Sequence, residues 1–142
     1  MEIYNRKVTT AKALSEMKNL FDKVNAKVED SDDIKNFVSE KTFFCKVIDD
    51  NGLMTSDYNY RSWTLDVGKI AFCNGEFKIL VRDDEFNHNS MFITPNCFVR
   101  EIRKINFPGM FDTFKEMLEK YNERAKQKDE QIEHFLEIAK QF

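Results

Sequence analysis

The feature that most constrains the fold is the C-terminal quarter of the sequence, where apolar residues recur at steps of three and four. Residues 111–142 contain no proline and no glycine. This spacing predicts one long amphipathic helix. At about 1.5 Å per residue the helix would be roughly 45 Å long. That exceeds the width of a small domain, so the helix must pack along another helix or project from the domain.

Two interpretations of this stretch stay open. Between Asn122 and Glu130 the only apolar residue is Ala125, so a break there, with Asp129 capping a second helix, is the alternative to a continuous helix. Apolar stripes of this kind are usually core, but the excess length favours an interaction helix that binds a protein partner or a second copy of the chain. The residues we expect to form this interaction helix are Phe114, Leu118, Tyr121, Ala125, Ile132 and Phe135.

Length and composition indicate one globular domain spanning residues 1–142. The chain has 142 residues, of which 42% are hydrophobic, and no apolar run approaches a membrane span. Its start, Met1-Glu2-Ile3, lacks the pattern of a signal peptide. The three cysteines are odd in number and far apart, which is typical of free thiols in a reducing compartment. We therefore expect a cytoplasmic protein.

Net charge and amino-acid composition say little about mechanism. The net charge is −3, and residues 34–107 balance ten basic against ten acidic side chains. No block is basic enough to predict direct nucleic-acid binding. Lysine far outnumbers arginine, and asparagine and phenylalanine are abundant, as AT-rich codons would give. That mixture favours a low-GC bacterium or one of its mobile elements, such as a phage.

The N-terminal segment, residues 1–30, predicts the first helix. It should begin at Thr9 or Thr10 and end near Val28, with a buried stripe at helical spacing. We expect this helix to pair with the C-terminal one; a stripe reserved for another subunit is the alternative. Ser31 then has the sequence context of an N-cap for a short second helix ending near Glu40. That helix would bury Ile34, Phe37 and Val38.

The middle segment, residues 31–107, changes to the period of a strand. The sequence predicts an antiparallel meander of four or five strands, drawn from residues 42–49, 58–67, 69–73, 76–82 and 91–93. Asn74-Gly75 is a strong hairpin signal, and Gly68 is expected to separate two strands. Residues 95–106 fit either a helix or a strand, and Phe107-Pro108-Gly109 is predicted to be a joint before the helix of residues 108–142. The fold class is thus α+β, with helices covering one sheet.

No catalytic constellation is present. His88 lies in a polar stretch beside Asp83, Asp84 and Glu85, where it could act as a base, but a solvated loop histidine is the favoured interpretation. The only other histidine is His134, and no metal, phosphate-loop or nucleophile motif occurs. We expect a protein that is not an enzyme and that needs no metal or cofactor.

The best binding cluster is aromatic and lies in the predicted strand 58–67. Tyr58 and Tyr60 would share one face of the strand, and Arg61 and Trp63 the other. Rings that stack on a ligand and an arginine that meets a phosphate would suit a nucleotide or another small anion. The further phosphate contacts would be Arg82, Arg100 and Arg103. Local packing of an edge strand explains the same residues.

Two functions follow from these patterns. The favoured hypothesis is a non-enzymatic binding protein that is homo-oligomeric and acts as an inhibitor by docking on a host macromolecule. The alternative is a small-ligand module that uses the cluster at Tyr58, Tyr60, Arg61 and Trp63.

Overall fold

The protein is an α+β structure, as its sequence pattern predicts, in a computed structural model that describes residues 1–28, 31–47, 66–82 and 90–142. Over these residues the chain forms three α-helices and six strands. In order they are α1 (Thr10–Lys27), β1 (Phe37–Val38), β2 (Phe43–Val47), β3 (Val67–Cys73), β4 (Glu76–Arg82), β5 (Ser90–Ile93), α2 (Phe98–Glu101), β6 (Ile102–Ile105) and α3 (Phe107–Ala139).

The first helix forms where the apolar spacing predicts it. Thr9 is the N-cap, and its hydroxyl accepts a hydrogen bond of 3.1 Å from the backbone N–H of Lys12. One face of the helix buries Leu14, Met17 and Phe21. Both the start and the end of this helix are confirmed.

The short second helix predicted after Ser31 is wrong. Residues 32–33 form a turn, and Phe37 and Val38 form β1, which pairs antiparallel with Phe72 and Ala71 of β3. Burial of Phe37 against Phe72, with ring centroids 5.7 Å apart, stabilises the extended backbone. The predicted helix is short, so its capping signal stabilises it less than strand pairing and burial stabilise the extended backbone.

The sheet is antiparallel, with the strand order β5-β4-β3-β2-β6, and β1 pairs with β3. The β3–β4 hairpin turns at Asn74 and Gly75, whose φ angles of 54° and 80° are the positive values that this turn requires. Along β4 the buried side chains are Phe77, Ile79 and Val81, as the alternation predicts.

Gly68 does not separate two strands; it lies within β3, opposite Phe43 of β2. A Cβ at this position would lie 2.6 Å from the ring of Phe43 and 2.9 Å from the Cβ of Cys45. The glycine is thus needed for close strand approach rather than for a turn.

Residues 95–106 combine the two predicted alternatives. A 3-10 turn at Pro95–Cys97 leads into α2, and the chain then becomes extended as β6, which pairs with β2. A single helix ending near Asn106 is therefore wrong. Phe98 is buried between the layers, with its ring 5.0 Å from that of Phe21.

The C-terminal helix α3 is continuous over 33 residues, and no break occurs between Asn122 and Glu130. The predicted joint at Phe107-Pro108-Gly109 is instead its first turn. Asn106 is the N-cap, and its side chain accepts a hydrogen bond of 3.2 Å from the backbone N–H of Gly109. Proline fits the first turn because its missing N–H would have no partner there.

Helices α1 and α3 both cover the inward face of the sheet. They contact each other through Phe21 and Phe114, whose ring centroids are 4.6 Å apart, and Phe114 lies 5.9 Å from Phe77 of β4. One hydrophobic core thus joins the N-terminal helix, the long C-terminal helix and the sheet.

Candidate functional site

The first half of α3 belongs to the core. Phe114 and Met117 are buried, and Leu118, Tyr121 and Ala125 pack against the core from its margin. The ring of Tyr121 lies 5.2 Å from that of Phe72, and its hydroxyl shares a hydrogen bond with Ser31. Four of the six residues expected to form the interaction helix, namely Phe114, Leu118, Tyr121 and Ala125, therefore contribute to folding.

Polar contacts fix the same half of α3 to the segment between β1 and β2. The carboxylate of Glu116 accepts hydrogen bonds from the backbone N–H groups of Glu40 (2.7 Å) and Lys41 (2.9 Å) and pairs with Lys120 at 2.9 Å. Partial burial raises the pKa of Glu116, but these bonds together outweigh it, so the net pKa lies below its usual value. The hydrogen bond to Glu116 raises the pKa of Lys120.

Two further contacts mark the end of the packed half. The guanidinium of Arg124 lies 4.0 Å from the ring centroid of Phe37, and the Lys128 ammonium lies 3.9 Å from a carboxylate oxygen of Asp33. Lys128 interrupts the apolar stripe, and it does so at the point where α3 leaves the rest of the described chain. The charged residue is placed where the stripe passes from core to surface.

Beyond Lys128 every residue of the chain is exposed. We call this segment, residues 129–142, the α3 tail. Its large apolar side chains expose 43% to 104% of their surface, and they are Ile132 (44%), Phe135 (64%), Leu136 (51%), Ile138 (43%) and Phe142 (104%). Single exposed apolar residues are ordinary, whereas four of these five lie close together on α3 and Phe142 follows its end.

The tail residues continue the buried stripe with the same heptad spacing. Ile132 follows Ala125 by seven residues, and Phe135 follows Lys128 by seven, so the tail presents the face that the core-packed half of α3 buries. Glu130, Glu133 and Glu137 lie on the other side of the helix. The tail is therefore an amphipathic helix with an uncovered apolar side.

The aromatic binding cluster lies outside the described residues, since Tyr58, Tyr60, Arg61 and Trp63 all fall within residues 48–65. His88, Asp83, Asp84 and Glu85 fall within residues 83–89, also outside. The two predictions that depend on them stay predictions.

The three arginines predicted as phosphate contacts are all described, and they lie on different elements: Arg82 on β4, Arg100 on α2 and Arg103 on β6. Arg100 is exposed on α2, donates to the Cys97 sulfur at 3.2 Å and pairs with Glu101 at 3.3 Å. Arg103 is exposed on β6. Arg100 thus already has protein partners, and these contacts provide no phosphate-binding arrangement.

The Cys45 thiol is buried in the core. Burial raises the pKa of Cys45 to about 12, which keeps it protonated at neutral pH. Cys73 and Cys97 are half-buried. Among residues 1–28, 31–47, 66–82 and 90–142, no group of three or more His, Cys, Asp or Glu side chains is arranged to hold a metal ion.

None of the described helices has the length and apolar character needed to cross a bilayer. Comparison of this chain with protein-family models, with curated proteins and with solved structures finds no match.

Proposed function

We propose that this protein is a non-enzymatic binding protein, that it assembles with a second copy of itself through the α3 tail, and that the assembly acts by docking on a host macromolecule. The observation that carries the proposal is the exposed apolar side of the tail. An inhibitory role and an origin in a mobile element belong to the same proposal and come from the sequence pattern.

The area of the tail supports a second copy as the occupant. If a large apolar side chain presents roughly 200 Å² when fully exposed, the five tail residues together present roughly 600 Å². Two such surfaces would bury about 1,200 Å², the lower end of stable protein interfaces. Two tails that pack against each other would bury both apolar sides without any other protein.

Lys128 favours an antiparallel pair. In a parallel pair, equivalent positions of the heptad face each other, so Lys128 would meet Lys128 of the other copy. In an antiparallel pair the two lysines lie at opposite ends of the contact. The stripe position held by Lys128 then serves as a register signal, as polar residues do in coiled coils.

The experiment is native mass spectrometry and sedimentation of the full chain over a concentration series. Phe135→Glu places a carboxylate in the centre of the apolar side, and we expect it to convert the dimer to a monomer. His134→Glu is the matched control, because it adds the same side chain one residue earlier, on the polar side. A wild-type protein that stays monomeric at high concentration would refute the assembly. A dimer that persists in the Phe135→Glu variant would show that the contact between the two copies does not use the α3 tail.

The alternative function, a small-ligand module at Tyr58, Tyr60, Arg61 and Trp63, stays a prediction. No contact of the described residues adds to it.

A further inference from the structure

The strands carry a strongly uneven charge that the balance of the whole chain hides. The six described strands contain six basic residues and one acidic residue, while α3 contains five basic and eight acidic residues. The basic residues of the strands are Lys46, Lys69, Lys78, Arg82, Arg103 and Lys104, and the acidic one is Glu76. Positive charge is thus concentrated in the sheet of a protein whose net charge is −3.

Alternation along the strands puts most of this charge on one face. In β4 the buried residues face the helices, so Lys78 and Arg82 lie on the opposite face. In β2 the side chain of Lys46 lies between the buried Cys45 and Val47, and its partner across the ladder is Lys104 of β6. Lys69 of β3 also lies on this face, which we call the basic face.

The basic face is poorly neutralised. Lys78 pairs with Glu76 at 3.8 Å, but Lys46, Lys69, Arg82 and Lys104 form no ion pair within the described part of the chain. The buried Nε of Arg82 also has no hydrogen-bond partner there. Lys46 and Lys104 are directly opposed like charges, an arrangement that destabilises a sheet. The repulsion between these two lysines does not help the protein to fold, so we expect its explanation in binding.

Two phenyl rings accompany the cations. Phe44 of β2 is 46% exposed and Phe92 of β5 is 50% exposed. Phe44 pairs with Val67, which pairs with Arg82, so a ring and a guanidinium lie two strands apart, about 10 Å, in one row. Phe92 lies next to Leu80 on β4.

We propose that the basic face binds single-stranded nucleic acid. Lysine and arginine side chains would neutralise the phosphates, and Phe44 and Phe92 would stack on bases, which are free to stack only when the strand is unpaired. Charge complementarity supports this occupant, since the described part of the face carries several cations and one carboxylate. The proposal narrows the host macromolecule of the proposed function to a nucleic acid, and it does not depend on assembly through the tail.

The experiment is fluorescence anisotropy of a labelled 15-nucleotide oligothymidylate titrated with the full chain at several salt concentrations. The double variant Lys46→Ala/Lys104→Ala should bind at least tenfold more weakly. The slope of the logarithm of the binding constant against the logarithm of the salt concentration should become less steep by about 1.4. Lys23→Ala with Lys27→Ala removes the same charge from exposed positions on α1 and should change neither.

The rings need their own comparison. Phe44→Ala should weaken binding about tenfold through lost stacking. Phe111→Ala is the matched control, since Phe111 on α3 is also 46% exposed, and it should leave binding unchanged. Circular dichroism and melting of each variant would show that the fold is kept.

Several outcomes would overturn the proposal. They are no binding at low salt, equal losses for the two lysine pairs, or tighter binding of a duplex of the same length. An oligouridylate in parallel distinguishes RNA from DNA, and binding of either supports the proposal. A monomeric Phe135→Glu variant that still binds would separate this proposal from the assembly through the tail.

Discussion

Glu116 connects α3 to the segment between β1 and β2. Its carboxylate accepts two backbone hydrogen bonds from the segment between β1 and β2 and pairs with Lys120. We expect Glu116→Gln to lower the free energy of unfolding by about 1 kcal/mol at pH 7. The glutamine amide has one acceptor oxygen, so it can accept only some of the hydrogen bonds that the carboxylate accepts. Urea unfolding would measure this loss.

The same residue predicts a pH dependence. Because the folded pKa of Glu116 is lowered, its contribution is complete above the unfolded pKa of about 4.3 and is lost as pH falls through the folded value. The difference between wild type and Glu116→Gln should therefore shrink below about pH 4. Glu119→Gln, on an exposed position of the same helix, is the control and should unfold like the wild type. A difference that stays constant down to pH 3 would contradict the role of the carboxylate.

Single residues were predictable from the sequence where one local rule decides them. Asn74 and Gly75 form the turn that these two residue types favour, and Phe77 is buried as the alternation requires. Lys46 and Lys104 could not be identified as a pair, because 58 residues separate them and only the register of β2 with β6 brings them together. Charge counted along the chain averages over both faces of a strand and hides such a pair.

At the scale of elements, two capping signals had opposite outcomes. Thr9 begins a helix of 18 residues with a buried apolar stripe, whereas Ser31 is followed by a turn and a two-residue strand. A cap contributes about 1 kcal/mol, which decides where a helix starts but not whether a short segment forms one. Burial of a long stripe decides that, and only the first segment has one.

This difference can be tested at the start of α1. Thr9→Ala removes the hydroxyl that accepts the 3.1 Å hydrogen bond from Lys12, and we expect it to cost about 1 kcal/mol of unfolding free energy. Thr10→Ala changes the first helical residue instead and should be neutral or slightly stabilising, because alanine is the better helix former. Chemical denaturation of both variants is the measurement, and equal losses would show that Thr9 is not the cap.

For the whole molecule, the sequence predicts the fold class and favours a continuous C-terminal helix, but it does not show where that helix leaves the core. Its heptad pattern is the same on both sides of Lys128, and one lysine in the stripe does not show which side is covered by the core. The boundary is set by the extent of the sheet and by the position of Asp33, which are products of the complete fold. An apolar stripe therefore predicts a buried face without saying what buries it.

The boundary implies that the tail is dispensable for folding. A chain ending after Lys128 should unfold within about 0.5 kcal/mol of the full chain, since no residue of the tail is buried. The two chains should be compared at a submicromolar protein concentration, where the dimer dissociates and assembly no longer contributes to stability. A chain ending after Lys120 should lose about 3 kcal/mol or more, because it lacks Tyr121, which packs on Phe72 and Phe77. A large loss on removing the tail alone would mean that its apolar side folds onto its own chain, and a second copy would then have no surface to cover.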